Sequence, residues 1–314
     1  KTEAVTGNCS PKDFETMMQL TYLTFTAPRR DDDAFASYKN RSKAELQNMD
    51  LNPSSSFSDS ITSTLYSKHP RTLRIKADMV DKMNYDKILS MYQDRFKDAS
   101  DFTFILVGNV DVEAVKPLIE SYLGSLPSIN RKETFKDNHI AMRKGICKNE
   151  FIRQQETPKV NNFICYSGTC KYNLRNEILM SMTDQLLNFI YTEKVREDEG
   201  GTYGVYPMGQ LIKYPTEKAV LQIFFNTAPD KQEKLIKIIY DEAEAFAKNG
   251  PDEASLNKVK EYMLKKHSED LKENGYWLNS IDEYLYTGID PVKDYEQIIN
   301  SITPKDVQQF ANEL

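Results

Sequence analysis

Arg196 and Tyr203 are the residues of this sequence best suited to chemistry, because they lie seven positions apart around a glycine pair. A guanidinium carries five N–H donors and a phenol one O–H donor, so both side chains can bind oxygen atoms. Gly200 and Gly201 lie between them, and glycine accepts sharp turns that other residues resist. We interpret residues 195–205 as part of a binding or catalytic site.

The segments on either side of this motif predict how its side chains are positioned. Residues 177–195 carry apolar side chains at helical spacing, and the segment over residues 202–212 is β-rich. Glycines at such a junction are typical of a break between two elements. The sequence therefore predicts a long helix that ends at Arg196 and a strand that starts near Tyr203.

The pattern Arg-x-x-x-Gly-x-x-Tyr, placed between a helix and a strand, resembles the signature in the C-terminal half of pitrilysin/insulinase-family zinc peptidases. The order of segments resembles that half over nearly the whole chain. The resemblance implies an endopeptidase of two halves that are similar in fold and close around a chamber. In such an enzyme the first half holds zinc, and the second half faces the bound peptide.

The resemblance also implies a role for each residue of the motif. Arg196 would donate hydrogen bonds to the backbone carbonyl groups of the substrate, which its planar fork of donors suits. Tyr203 would be catalytic, donating its hydroxyl to the oxyanion that forms when the scissile carbonyl is attacked. Gly200, Gly201 and Gly204 would allow the turn that brings the backbone close to the peptide.

The zinc site of such enzymes is the part that this sequence lacks. It needs His-x-x-Glu-His on a helix, where two imidazoles bind the metal and the glutamate activates its water. The histidines here are His69, His139 and His267, and no two lie within five positions of each other. We therefore predict that this chain binds no metal. Zinc in the full enzyme would be held by an N-terminal half, on the same polypeptide or on a partner chain.

Composition excludes several other classes of protein. The net charge of −6, with no basic run, argues against a nucleic-acid partner. No apolar run approaches the roughly 18 residues that a membrane span needs. The four cysteines include no Cys-x-x-Cys pair, and Cys165 is predicted to be a small buried side chain. A hydrophobic content of 39% predicts a packed globular chain.

The order of predicted elements divides the chain into a domain over residues 1–130, a linker over 131–146 and a second domain over 147–314. The first resembles the C-terminal part of a pitrilysin-like domain and looks truncated. It contains an apolar run at residues 102–107, predicted as a strand buried on both faces, and a helix capped by Asp111. The second domain resembles a complete pitrilysin-like domain. Strands and helices without regular alternation predict an α+β fold, with a mixed, mostly antiparallel sheet packed with helices.

Four strands and a sheet-facing helix are predicted in the second domain: strands over residues 147–154, 160–167, 202–212 and 219–226, with helix side chains Leu179, Met182, Leu186 and Ile190 against the sheet. His267 stands among charged residues and is predicted to be exposed. Trp277 has an apolar neighbour and is predicted to lie in the core.

The leading hypothesis is the C-terminal half of a zinc endopeptidase, inactive alone, which acts on peptide substrates together with a zinc-bearing half. The alternative is a non-catalytic peptide-binding partner or scaffold subunit of the same fold, and a third is a structural assembly component. In a purely structural interpretation, Arg196 pairs with Glu193 or Glu199 and Tyr203 packs on a sheet. The resemblance to exported bacterial two-half members favours a periplasmic location.

Overall fold

The computed structural model describes residues 3–197 and 204–314, with the backbone alone for Arg196 and Glu197. The chain forms two compact units, Lys1–Phe151 and Ile152–Leu314. No helix in the described residues has the length and apolar character needed to cross a membrane. The helices are α1 (Phe14–Thr26), α2 (Asp32–Leu51), α3 (Pro53–Leu65), α4 (Ala77–Val80), α5 (Tyr85–Phe96), α6 (Val112–Tyr122), α7 (Leu174–Tyr191), α8 (Gln232–Asn249), α9 (Glu253–Asp270), α10 (Asn274–Thr287), α11 (Tyr295–Ser301) and α12 (Pro304–Glu313); the strands are β1 (Val160–Gly168), β2 (Val205–Ile212) and β3 (Lys218–Thr227).

The first unit contains α1 to α6 and has a small aromatic core. Phe25 of α1 and Phe96 of α5 are buried there with Leu126. The ring of Phe102 packs edge-on against that of Phe25, with centroids 4.8 Å apart. Such aromatic pairs add roughly 1 kcal/mol beyond the area they bury. These contacts hold the two helices and the segment after α5 together.

The strand predicted over residues 102–107 is wrong. The chain there has no regular secondary structure, and Phe104 and Leu106 are 38% and 37% exposed. An apolar run becomes a strand only where another strand supplies backbone partners, and the described residues of the first unit contain no strand. The strand predicted over residues 147–154 is also wrong, because the chain there has no regular secondary structure. Ile152 within it is fully exposed.

Asp98 anchors the chain that follows α6. Its side chain is fully buried and accepts hydrogen bonds from the backbone N–H groups of Ser100 at 3.0 Å, Ile129 at 3.0 Å and Arg131 at 2.6 Å. Burial acts to raise the pKa of this carboxyl, but the N–H donors outweigh it and hold the pKa well below its usual range. Asp98 therefore ties residues 129–131 to the end of α5.

We expect limited proteolysis of the native chain to begin within residues 132–142. This segment lies between two attached points: the backbone held by Asp98, and Arg143, whose N–H donates to the carbonyl of Leu65 at 2.6 Å. Asp98→Asn removes one of the two carboxylate acceptors, so cleavage at residues 128–131 should become on the order of tenfold faster. Mass spectrometry of the earliest fragments measures this. Asp101→Asn, at an exposed site, is the control; a first cut within α7 in the native chain would contradict the expectation.

The second unit is built on a three-stranded antiparallel sheet with the order β1-β3-β2. These strands confirm the predictions for residues 160–167 and 219–226, and β2 covers most of the strand predicted at 202–212. Helix α7 lies against β2. Its predicted sheet-facing side chains lie in or against the main core, which includes sheet residues: Leu179, Met182 and Leu186 are buried, and Ile190 is partly buried.

Two side chains of the second unit were predicted wrongly. His267 is only 5% exposed; its ring stacks on Tyr295 with centroids 4.4 Å apart, and its Nδ1 lies 3.2 Å from the hydroxyl of Tyr276. Trp277 is 38% exposed, and its indole N–H donates to the carbonyl of Leu271 at 2.9 Å. Charged neighbours in sequence do not reveal that α10 and α11 cover His267.

Candidate functional site

The Arg/Tyr motif lies between a buried helix and an edge strand. Helix α7 continues into a wider π-helical turn over Thr192–Glu197, so the backbone of Arg196 belongs to the last turn, near the predicted helix end. π-Helical turns are frequent at functional sites. Strand β2 begins at Val205, two positions after Tyr203.

The remaining predicted site residues lie outside the described part of the chain. These are Gly200, Gly201 and Tyr203, and for Arg196 the side chain is not described. Their roles in substrate binding and catalysis stay predictions, as does the structural alternative in which Arg196 pairs with a neighbouring glutamate.

Both flanks of the motif are held in the core of the second unit. Tyr191 and Val195 before it are fully buried, and Val205 after it is almost fully buried. The hydroxyl of Tyr191 donates to the carbonyl of Ile239 in α8 at 3.4 Å, and burial raises the pKa of this phenol. The chain therefore enters and leaves the motif at two packed points.

A hydrogen bond between Asp184 and Gly209 connects the helix before the motif to the strand after it. The sequence did not lead us to predict this contact. Oδ2 of Asp184 in α7 accepts a hydrogen bond from the Gly209 N–H in β2 at 2.7 Å. Oδ1 of the same carboxyl is buried and has no hydrogen-bond partner in the described residues. Burial raises the pKa of Asp184 to about 6, although the Gly209 N–H acts in the opposite direction. An acidic residue inside the apolar stretch of residues 177–195 was the available signal.

Asp184 should make the second unit less stable as the pH rises. Its pKa is higher in the folded chain than in the unfolded one, so between the two values the folded state binds more protons and stability falls with increasing pH. The quantity to compare is the free energy of unfolding of Asp184→Asn minus that of the natural chain. We expect this difference to increase by about 2 kcal/mol between about pH 4 and about pH 7, because the natural chain loses stability over this range. Urea unfolding at both pH values measures this difference. A difference that does not change with pH would contradict the assignment.

The described residues do not form a zinc site. No group of three or more His, Cys, Asp or Glu side chains among them is placed to hold a metal ion. Nδ1 of His69 accepts from the backbone of Arg71, His139 is exposed beside Asp137, and His267 is enclosed by tyrosines. The histidines therefore do not fit a catalytic metal centre.

An α+β unit in which a buried helix leads through an Arg-x-x-x-Gly-x-x-Tyr motif into an edge strand, with no zinc site among the described residues, is the arrangement expected of a pitrilysin-like domain that does not hold the metal. Residues 82–263 match the family model described as the Peptidase M16 inactive domain. The chain belongs to this family. The match confirms the predicted resemblance and agrees with the predicted fold class.

Comparison with curated and solved proteins shows how much of a relative this chain represents. It is 24% identical over 294 residues to the Zinc protease PQQL-like protein of Arabidopsis thaliana. The aligned region covers 86% of this chain and 30% of the relative. Its fold is similar to that of the periplasmic protease PqqL from Escherichia coli, with a TM-score of 0.81, 18% identity and coverage of 96% of this chain and 34% of that one. The chain thus spans about a third of the length of these proteins.

The fold is also similar to a crystal structure of the first half of the same Escherichia coli protease. The TM-score is 0.70 at 14% identity, and the match covers 97% of this chain and 68% of that one. The same fold therefore matches about a third of the PqqL structure and about two thirds of the structure of its first half.

Proposed function

We propose that this chain is the non-zinc half of a two-half M16 zinc endopeptidase and takes part in peptide cleavage only together with a zinc-bearing half. The observation that carries the proposal is the family match over residues 82–263, which includes the whole motif between its two anchored flanks. The names of the relatives support a proteolytic activity. The similarity to a first half supports an enzyme built from two halves of similar fold.

Within this enzyme, Arg196 binds the backbone carbonyl groups of the peptide, and Tyr203 donates a hydrogen bond to the developing oxyanion. Gly200 and Gly201 allow the backbone to approach the peptide closely. The support is chemical: the arginine fork suits carbonyl oxygens, and a preorganised O–H donor is most effective where negative charge develops during the reaction.

The partner, the metal and the location are parts of the same proposal. The described residues do not fit zinc, so the zinc implied by the relatives' names would be held by the other half. Peptides are the proposed substrates. A periplasmic location is supported by the solved relative that is described as a periplasmic protease.

Purified alone, the chain is expected to bind no stoichiometric zinc and to cleave no unfolded peptide, because a catalytic zinc needs three protein ligands. Assembly with a zinc-bearing half should restore one zinc per assembly and peptide cleavage. Elemental analysis after dialysis and a fluorogenic peptide assay measure both. One tightly bound zinc in the isolated chain would contradict our interpretation of the histidines. An assembly that binds zinc and peptides without cleaving them would instead favour the non-catalytic binding partner.

A further inference from the structure

A cavity of about 370 Å³ lies between the end of β2 and helix α10 in the second unit. Its volume falls within the range of pockets that bind small ligands, about 300–1,000 Å³. It opens to solvent at the opposite end of β2 from the Arg/Tyr motif, since Lys213 directly follows the strand. Its lining combines aromatic and charged side chains: Tyr172, Lys213, Tyr214, Asp282, Glu283 and Tyr286.

Tyrosine rings form the walls of this cavity. Tyr214, after β2, and Tyr286, in α10, meet edge to face with ring centroids 5.1 Å apart and an interplanar angle of 76°. Tyr172 is buried, and its hydroxyl donates to Oε1 of Glu283 at 2.9 Å. Aromatic faces carry partial negative charge and attract cations.

Lys213 shows that the cavity accommodates a cation. Its ammonium lies 5.8 Å from the ring centroid of Tyr172 and 5.6 Å from that of Tyr214. It also donates a hydrogen bond to the carbonyl of Thr287. Aromatic faces and a carbonyl therefore hold this charge, so a second cation would meet the remaining ring faces and the carboxylates of the cavity wall.

The carboxyl groups of the cavity outnumber its one ammonium. Asp282 is exposed on α10, and Glu283 beside it accepts a hydrogen bond from Tyr172. Glu177 in α7 forms hydrogen bonds with Tyr172 and Glu283, and burial raises the pKa of Glu177 to about 7. A carboxylate has about four lone-pair positions, so Asp282 and Glu283 can each accept further donors.

We propose that this cavity binds the guanidinium group of an arginine side chain in a peptide ligand. A guanidinium is planar and weakly hydrated, so it stacks on an exposed tyrosine ring and donates two parallel hydrogen bonds to one carboxylate better than an ammonium does. That the ligand is a peptide rests on the proposed function, but recognition of arginine rests on the cavity alone. The eight residues of β2 place the site roughly 25 Å along the chain from the start of that strand. The cavity is therefore a contact separate from the Arg/Tyr motif.

Binding of two labelled peptides to the isolated chain tests this proposal by fluorescence anisotropy. One peptide carries a single arginine in a glycine-serine sequence, and the other carries citrulline, its neutral isostere, at that position. We expect the arginine peptide to bind about tenfold more tightly. The double variant Asp282→Asn/Glu283→Gln should abolish the difference, and Tyr214→Leu should reduce it several-fold.

Glu273→Gln is the control, because it changes the charge at an exposed position at the N-terminus of α10, away from the cavity lining. It should retain the preference for arginine. Equal binding of the two peptides to the natural chain, or an equal loss in Glu273→Gln, would overturn the proposal. Circular dichroism and melting temperature confirm that each variant is folded. Because the assay needs no zinc-bearing half, its result is independent of whether the assembled enzyme cleaves peptides.

Discussion

Tyr203→Phe is expected to lower kcat on the order of 100-fold or more in an enzyme assembled from this chain and a zinc-bearing half, while KM changes little. The lost hydroxyl would meet negative charge that exists only in the transition state, so substrate binding in the ground state is largely unaffected. Steady-state kinetics on a fluorogenic peptide separate the two parameters. The substitution removes one oxygen atom, so the melting temperature should stay close to that of the natural enzyme.

Arg196 provides the comparison within the same motif. Arg196→Ala should raise KM as well as lower kcat, because a contact to substrate carbonyl groups is present before and during the reaction. Arg196→Lys should restore little, since an ammonium lacks the planar fork. If Tyr203→Phe and Arg196→Ala both keep natural kinetics but melt at a much lower temperature, the pair is structural and the site assignment fails.

Gly209→Ala is expected to destabilise the second unit by about 2 kcal/mol, the usual range for overpacking a tight contact. A methyl group at this position would lie 2.7 Å from Oδ1 of Asp184 and closer still to the sulfur of buried Met180. The side chains of Met180 and Asp184 have to shift, or α7 and β2 have to move apart, and the Gly209 N–H bond to Asp184 is disturbed in either case. Urea unfolding followed by circular dichroism measures the loss.

Gly275→Ala is the matched control for this substitution. A methyl group at Gly275 meets no atom within 4 Å, and alanine favours the helix α10 that contains it. Its stability should be unchanged or slightly higher. Equal stability of the two variants would show that α7 and β2 are not packed closely at Gly209.

The contact between Asp184 and Gly209 also bears on the motif. Helix α7 leads toward Arg196, and β2 leads away from Tyr203, so the hydrogen bond between these elements sets the separation of the two flanks. A displacement of β2 in Gly209→Ala would therefore lower activity in the assembled enzyme, in addition to its effect on stability. Misplacement by about 1 Å can cost on the order of 100-fold in rate.

Features that depend on neighbouring residues in the chain were predictable from the sequence. The helix after Asp111 starts where predicted, because its cap accepts hydrogen bonds from Glu113 and Ala114, only two and three positions away. The long helix before the motif and the strands at residues 160–167 and 219–226 follow from periodicity in the same way. The family was evident from the short motif and the order of segments, and the family match agrees.

Features that depend on distant residues were decided only by the tertiary structure. The apolar run at residues 102–107 lacks regular secondary structure, because a strand needs backbone partners from elsewhere in the chain. His267 is buried because Tyr295, far along the chain, stacks on its ring. The link between Asp184 and Gly209 crosses from helix to sheet, and the cavity beside Lys213 combines the end of a strand with a later helix. Burial and hydrogen bonding at these positions are set by which elements pack together, and local sequence spacing does not encode that packing.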